Sequence, residues 1–158
     1  MIKLEKPDID VESIITDCTA NLTKQPILTH INASKTTIVS KSEKYNELAE
    51  KGQLGTLETH TMIEGGATKD DMVWLYDNKF VADGGRKYYD KIKAIPKYSK
   101  CPFCGVGIVS TLDHYLPKTT YPTYALTPVN LIACCADCNK NKKSEISETR
   151  NNEFIHPY

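Results

Sequence analysis

Two Cys-x-x-Cys pairs, separated by thirty residues, constrain this chain more than any other feature of its sequence. The first pair is Cys101 and Cys104, and the second is Cys135 and Cys138. Four thiolates can close a tetrahedral zinc site, which would fix the two ends of the segment between the pairs. Because such a site leaves no coordination position open for a substrate, the Zn²⁺ ion it predicts is structural.

The cysteines alone leave two alternatives to a zinc site that holds an inserted functional loop. The pairs could be unrelated, or they could form a plain zinc ribbon without catalysis. A plain ribbon usually spaces its pairs by roughly fifteen to twenty residues, so the longer gap leaves room for an inserted loop. The remaining cysteines, Cys18 and Cys134, are interpreted as small buried side chains. Cys134 could compete with its neighbour Cys135 as a ligand, but the pair spacing favours Cys135.

The composition excludes several classes of protein. The 158 residues carry a formal net charge of zero, so nucleic-acid binding would need a local basic surface. No apolar run is long enough to span a membrane, and the N-terminus lacks the apolar segment of a signal peptide. We therefore expect a cytoplasmic protein without a membrane partner, in a compartment whose redox state favours metal binding over disulfides.

The expected fold class is α+β, with a mainly helical accessory region at residues 1–99 and a zinc-stapled module at residues 100–158. In the first region, apolar spacing, caps and glycines predict helices after Asp10, over 44–51 up to Gly52, after Thr68, and over 86–95. In the second region we expect a strand that ends near His114, followed later by a helix that starts at Ala136.

The segment between the cysteine pairs carries residue types suited to phosphodiester hydrolysis. Such a reaction needs a base to activate water and a divalent cation to neutralise developing charge. Asp113 and the amide of Asn139 could supply the oxygen ligands that Mg²⁺ prefers. Neighbouring residues on a strand point to opposite faces, so Asp113 and His114 can share one site only where the strand ends or twists.

The motifs together resemble the HNH endonuclease family, whose fold is called ββα-metal. The closest pattern is a zinc-knuckle subgroup similar to the PtuB nuclease subunit of Septu-type anti-phage systems. The matching segments are Cys101–Gly105, Leu112–Lys118, Asn130-Leu131, Cys135–Asn139 and His156-Pro157-Tyr158. The resemblance covers roughly the last third of the chain. It implies a DNA endonuclease that works in antiviral defence, with an ATPase as its candidate partner subunit.

The resemblance also implies a role for each matching position. His114 would be the general base, and Asp113 and Asn139 would bind the catalytic Mg²⁺ or Mn²⁺. Asn130 would hold the active-site loop by backbone hydrogen bonds, and Lys142 would lie near the scissile or adjacent phosphate. The structural zinc ligands would be Cys101, Cys104, Cys135 and Cys138. No role follows for His156.

A basic segment precedes the module, and three alternatives to an active nuclease remain. Residues 86–100 contain Arg86, five lysines and three tyrosines with only one acidic residue, which is typical either of a phosphate-binding surface or of a solvated helix face. The chain could be a non-catalytic zinc module that binds nucleic acid or protein. It could use zinc as the catalytic ion, which requires an open coordination position, or it could be a subunit that is inactive without its partner.

Overall fold

The computed structural model describes residues 2–142 and 156–158. Within them the fold is α+β, as predicted, with five α-helices and one antiparallel pair of strands. The helices are α1 (Val11–Thr19), α2 (Ile27–Glu50), α3 (Lys69–Leu75), α4 (Arg86–Lys93) and α5 (Ala136–Lys142), and the strands are β1 (Thr111–His114) and β2 (Leu131–Cys134). A π-helical turn over Tyr76–Phe80 continues α3.

Helix α2 is much longer than the sequence pattern indicates. We expected a short helix over 44–51, whereas α2 begins directly after Pro26 and ends before Gly52, which has a φ of +63°. The buried stripe of α2 has helical spacing, but two serines interrupt its apolar character and conceal the period; its members are Ile27, Ile31, Ser34, Ile38, Ser42 and Tyr45. Among the described residues, no helix combines the length and apolar character needed to cross a bilayer.

The starts of α1 and α3 follow from side-chain capping. Asp10 accepts a hydrogen bond from the Ser13 backbone N–H at 2.7 Å, which confirms it as the cap of α1. Thr68 and Asp71 form a reciprocal capping box at the start of α3. The Asp71 carboxylate also bonds His30 Nδ1 at 2.8 Å and so ties α3 to α2. Burial opposes ionisation of Asp71, but the hydrogen bonds from Thr68 and His30 outweigh it and lower the pKa of this carboxyl.

The two regions on either side of residue 99 share one apolar core. Its largest cluster takes Ile14 from α1, Ile31 from α2 and Leu75 from α3, together with Leu112 from β1 and Leu131 from β2. Helix α4 packs against both strands. The helical region therefore supports the strand pair directly, while the division at residue 99 stays a prediction.

Candidate metal centre and cleft

The four paired cysteines meet at one point. Their sulfur atoms all lie within 4.8 Å of one another; the four residues are Cys101, Cys104, Cys135 and Cys138. Backbone N–H groups already point at this sulfur cluster, with Gly107 donating to the Cys104 sulfur at 3.2 Å. Hydrogen bonds from the Gly107 and Val106 backbone lower the pKa of Cys104 to about 6, which favours the thiolate that binds metal. Four close soft donors can hold a metal ion such as zinc.

Cys134 lies outside the sulfur cluster, whereas Cys135, which the pair spacing favours as the ligand, lies inside it. The Cys134 side chain is fully buried, and burial raises its pKa to about 12. The close approach of the two cysteine pairs requires glycine at position 107, because a Cβ on Gly107 would lie 2.8 Å from the Cys135 sulfur. Neighbouring cysteines thus have different functions, one as a candidate ligand and one as an apolar core residue.

This difference gives a matched pair of variants. We expect Cys135→Ala to lose stoichiometric zinc and to unfold at lower temperature, because a structural zinc site contributes directly to folding. Cys134→Ala should keep its zinc and lose only the packing of one small side chain. Zinc content by plasma mass spectrometry, measured together with thermal unfolding, checks both. Equal zinc loss in the two variants would contradict the assignment of ligands.

The two strands and the last helix follow in the order strand, strand, helix, with residues 115–130 between the strands. Asp113 pairs with Ile132 and His114 pairs with Leu131 across the antiparallel ladder, and α5 starts two residues after β2 ends. A cleft of about 410 Å³ opens at the end of β1. Its lining residues are Asp113, His114, Pro117, Lys118, Thr119, Asn139 and Lys140. Asp113 and His114, which are neighbours at the end of β1, thus both line this cleft.

His114 is held in one orientation. Its Nε2 lies 3.0 Å from the carbonyl oxygen of Ala125, and its ring packs edge-on against Tyr76 with centroids 4.5 Å apart. The carbonyl can only accept, so Nε2 carries the proton and Nδ1 is the basic nitrogen. Burial lowers the pKa of His114 to about 3, although the Ala125 carbonyl acts in the opposite direction. The imidazole is therefore neutral at physiological pH.

Asp113 is paired with a buried lysine. Lys142 Nζ donates to Asp113 Oδ2 at 2.7 Å, to the His114 carbonyl at 2.7 Å and to the Tyr115 carbonyl at 3.2 Å. Only 7% of the Lys142 side chain is exposed, so its ammonium is engaged inside the protein. Burial raises the pKa of Asp113, while the ammonium of Lys142 lowers it. Lys142 thus anchors the end of β1 through these three hydrogen bonds.

Asn130 fixes the loop that forms the wall of the cleft. Its Oδ1 accepts from the Leu116 backbone N–H at 2.8 Å, and its Nδ2 donates to the carbonyls of Leu116 and Tyr124 at 3.0 Å each. The Tyr45 hydroxyl donates to the same Oδ1 at 2.8 Å. Since Asn130 is fully buried, these four bonds compensate its desolvation.

Sequence reasoning missed Tyr45 as a supporting residue. Tyr45 is fully buried on α2, distant in sequence from Asn130. One signal was available, because Tyr45 follows Ser42 by three residues on the buried stripe of α2. Ser42 itself bonds Thr127, so two polar groups of α2 reach into the same loop. Helix α2 therefore positions the cleft wall without contributing to its lining.

The C-terminal tail packs beside this loop. The His156 ring lies 4.5 Å from the Tyr115 ring and 5.6 Å from the Tyr158 ring, measured between centroids. Tyr158 donates its hydroxyl to the Leu131 carbonyl at 2.8 Å, and Pro157 accepts from the Leu4 N–H at 2.7 Å. Burial lowers the pKa of His156 from 6.5 to about 4. His156 is thus a packed, neutral ring.

His156 gives a pH prediction. Its folded pKa of about 4 lies below the unfolded value of 6.5, so the unfolded state binds more protons between these values. The stability contributed by the neutral ring is present above pH 6.5 and is lost as the pH falls towards 4. Between pH 7 and pH 5, we expect the free energy of unfolding to fall by about 1–2 kcal/mol less in His156→Phe than in the unaltered protein. Urea unfolding at the two pH values measures this, and equal losses in both proteins would contradict it.

Comparisons with known proteins leave the family open. No family model matches the chain. Protein ea31 of Escherichia phage lambda is 30% identical over 168 residues, an alignment that covers all of this chain and 56% of that protein. The chain thus spans about half the length of this curated relative, whose name states no activity. No solved structure matches.

Proposed function

We propose that the chain is an HNH-type, metal-dependent endonuclease that hydrolyses DNA phosphodiester bonds. One observation carries the proposal: Asp113, His114 and Asn139 line the same cleft, at the end of a strand–strand–helix unit. The first cysteine pair of the sulfur cluster precedes β1 in the chain, and the second pair lies at the start of α5. An antiviral role is part of the proposal and rests on the motif resemblance alone.

The cleft residues fit a hard divalent cation. Asp113 offers Oδ1, because Lys142 holds Oδ2, and Asn139 offers a side-chain carbonyl oxygen. Mg²⁺ and Mn²⁺ take such oxygens and keep several waters, so two protein ligands are sufficient. A cation held by these two residues would neutralise the negative charge that develops on the phosphate and on the leaving 3′ oxygen.

His114 is suited to move one proton. Its Nδ1 would accept the proton of the water that attacks phosphorus, while Nε2 keeps its bond to Ala125 and fixes the ring. The imidazolium so formed is disfavoured by burial, as the low pKa indicates. A bound phosphate adds negative charge to the cleft, which favours the protonated ring during the reaction.

Lys140 is better suited than Lys142 to contact a phosphate. Lys142 already donates to three oxygens inside the protein. Lys140 is exposed, lines the cleft, and forms no ion pair within the described part of the chain. The resemblance implies a phosphate contact for Lys142, but we assign this contact to Lys140 instead. We interpret Lys142 as a positioning residue.

The direct test is cleavage of supercoiled plasmid DNA by the zinc-loaded chain. We expect nicking that requires added Mg²⁺ or Mn²⁺ and that is abolished in Asp113→Asn. An RNA of matched length, tested in parallel, determines whether the substrate is DNA. Cleavage that appears only after an ATPase partner is added would identify the chain as a regulated subunit. Absence of cleavage under all of these conditions would contradict the proposal.

The burial of the His114 imidazole favours the non-catalytic alternative. A pKa of about 3 makes His114 a weak base in the unliganded protein, whereas an efficient general base has a pKa near the working pH. If the cleft binds neither Mn²⁺ nor DNA phosphates, a zinc module that binds a partner is the better description. The alternative of catalytic zinc is opposed by the four thiolates, which leave no open coordination position.

A further inference from the structure

A surface beside the first cysteine pair combines lysines that lack carboxylate partners with exposed apolar side chains. We call it the Lys–Tyr surface; it consists of Lys97, Tyr98, Lys100, Val106 and Ile108, and Lys91 and Lys93 precede it in the chain at the end of α4. The sequence from 91 to 112 contains four lysines and no acidic residue. This local excess contrasts with the zero net charge of the chain. Only a local concentration of this kind can attract a polyanion to such a protein.

The four lysines of residues 91–100 have no carboxylate partners in the described residues, although Lys91 and Lys93 lie over the rings of Tyr88 and Tyr89. Eight other lysines of the described chain do form ion pairs with carboxylates. The preceding cations are also neutralised, since Arg86 pairs with Asp90 and Lys87 pairs with Asp17. Within the basic segment predicted from the sequence, the lysines without carboxylate partners therefore begin at Lys91.

Tyr98 is the most exposed large apolar side chain among the described residues, at 92%. Its backbone is left-handed with a φ of 56°, and Ser99 follows with a φ of 53°. This conformation costs a non-glycine residue about 1–2 kcal/mol, and a tyrosine gains no burial here in return. A glycine would make the same turn without strain, so neither the turn nor packing accounts for a tyrosine at position 98.

Two exposed aliphatic side chains extend the surface. Val106 is 75% exposed and Ile108 is 59% exposed. Ile108 forms an antiparallel bridge with Lys100, which places both side chains on one face of this short ladder. Lys100 also donates to the Val106 carbonyl at 3.1 Å, which places its ammonium beside the exposed apolar side chains of this loop.

We propose that the Lys–Tyr surface binds a single-stranded segment of nucleic acid, with a base stacked on Tyr98 and phosphates near the lysines. Unstacked bases offer apolar faces and every nucleotide carries one negative charge, which matches the alternation of this surface. A duplex hides its base faces and could use only the lysines. Helix α4, which ends in Lys91 and Lys93, packs against β1 and β2, so the surface belongs to the unit that carries the cleft.

The proposal deepens the proposed function, because it names the strand state of the substrate, but its test measures binding without cleavage. Anisotropy of a short labelled oligonucleotide, without added Mg²⁺ or Mn²⁺, gives the affinity. We expect Tyr98→Gly to weaken single-strand binding about tenfold and to leave duplex binding nearly unchanged. Glycine suits the left-handed backbone, so the variant removes the ring without disturbing the turn. Tyr98→Trp should bind at least as well, and stacking should quench its fluorescence.

Charge variants complete the test. Lys97→Glu should weaken binding and reduce the salt slope by about 0.7 or more, whereas Lys41→Glu, an equal charge change at an exposed position of α2, should not. Zinc content is measured alongside, because these lysines could instead balance the charge of the four thiolates. Zinc loss in Lys97→Glu, or unchanged single-strand binding in Tyr98→Gly, would overturn the proposal. If the plasmid assay fails but these variants behave as expected, the surface stands without the nuclease.

Discussion

His114→Gln is expected to lose about 10²–10⁴-fold in the rate of metal-dependent DNA cleavage while keeping the fold. Glutamine can place its amide nitrogen near the position of the imidazole Nε2 and so donate to the Ala125 carbonyl. It has no basic nitrogen to replace Nδ1. The variant thus removes the proposed base and preserves the hydrogen bond that orients it. Plasmid nicking under single-turnover conditions measures the loss.

A second replacement separates chemistry from structure. His114→Ala removes both the base and the bond to Ala125, and it leaves space against the Tyr76 ring. We expect it to be as inactive as His114→Gln but less stable by about 1–3 kcal/mol, because the buried carbonyl loses its donor. Cleavage by His114→Gln at a rate near that of the unaltered chain would show that another group, or no group, accepts the proton.

Lys142→Met is expected to destabilise the protein by about 3–5 kcal/mol. The substitution keeps much of the length of the side chain but removes the ammonium that compensates Asp113 and two backbone carbonyls. Breaking a buried ion pair leaves one charge without a partner, which costs more than the pair itself gains. Chemical denaturation measures the change in the free energy of unfolding.

A double variant tests the mechanism of that loss. Asp113→Asn together with Lys142→Met removes both charges and should recover part of the stability lost in Lys142→Met alone. Lys79→Met is the matched control, because Lys79 pairs with Asp83 at 2.6 Å but the Asp83 side chain is about half exposed. The control should cost less than about 1 kcal/mol. Equal costs for the two lysine variants would contradict the positioning role of Lys142.

Much of the α+β fold could be predicted from local signals in the sequence. Asp10 and Thr68 are strong helix caps, and the cysteine spacing is specific enough to predict the sulfur cluster. The course of α2 could not be predicted, because Ser34 and Ser42 interrupt its apolar stripe. Their burial is compensated by hydrogen bonds from Ala67 and with Thr127, which come from distant parts of the chain.

The residues around the site were predictable to different degrees. Asp113, His114 and Asn139 follow from motifs, and the structure brings all three to one cleft. The burial of Lys142 did not follow, because a lysine on a short helix is usually exposed and its three acceptors come from the end of β1. The hydroxyl of Tyr45 was equally hidden from sequence reasoning, since its bond to Asn130 depends on how α2 packs.

The most direct measurement is a crystal structure of the zinc-loaded chain soaked in Mn²⁺, with anomalous data collected for both metals. The account predicts a zinc peak among the sulfurs of Cys101, Cys104, Cys135 and Cys138. It also predicts a manganese peak bonded to Asp113 Oδ1 and the Asn139 amide oxygen, with His114 Nδ1 facing it across the cleft. Manganese bound elsewhere, or zinc bound in the cleft in place of the cysteine cluster, would contradict the account.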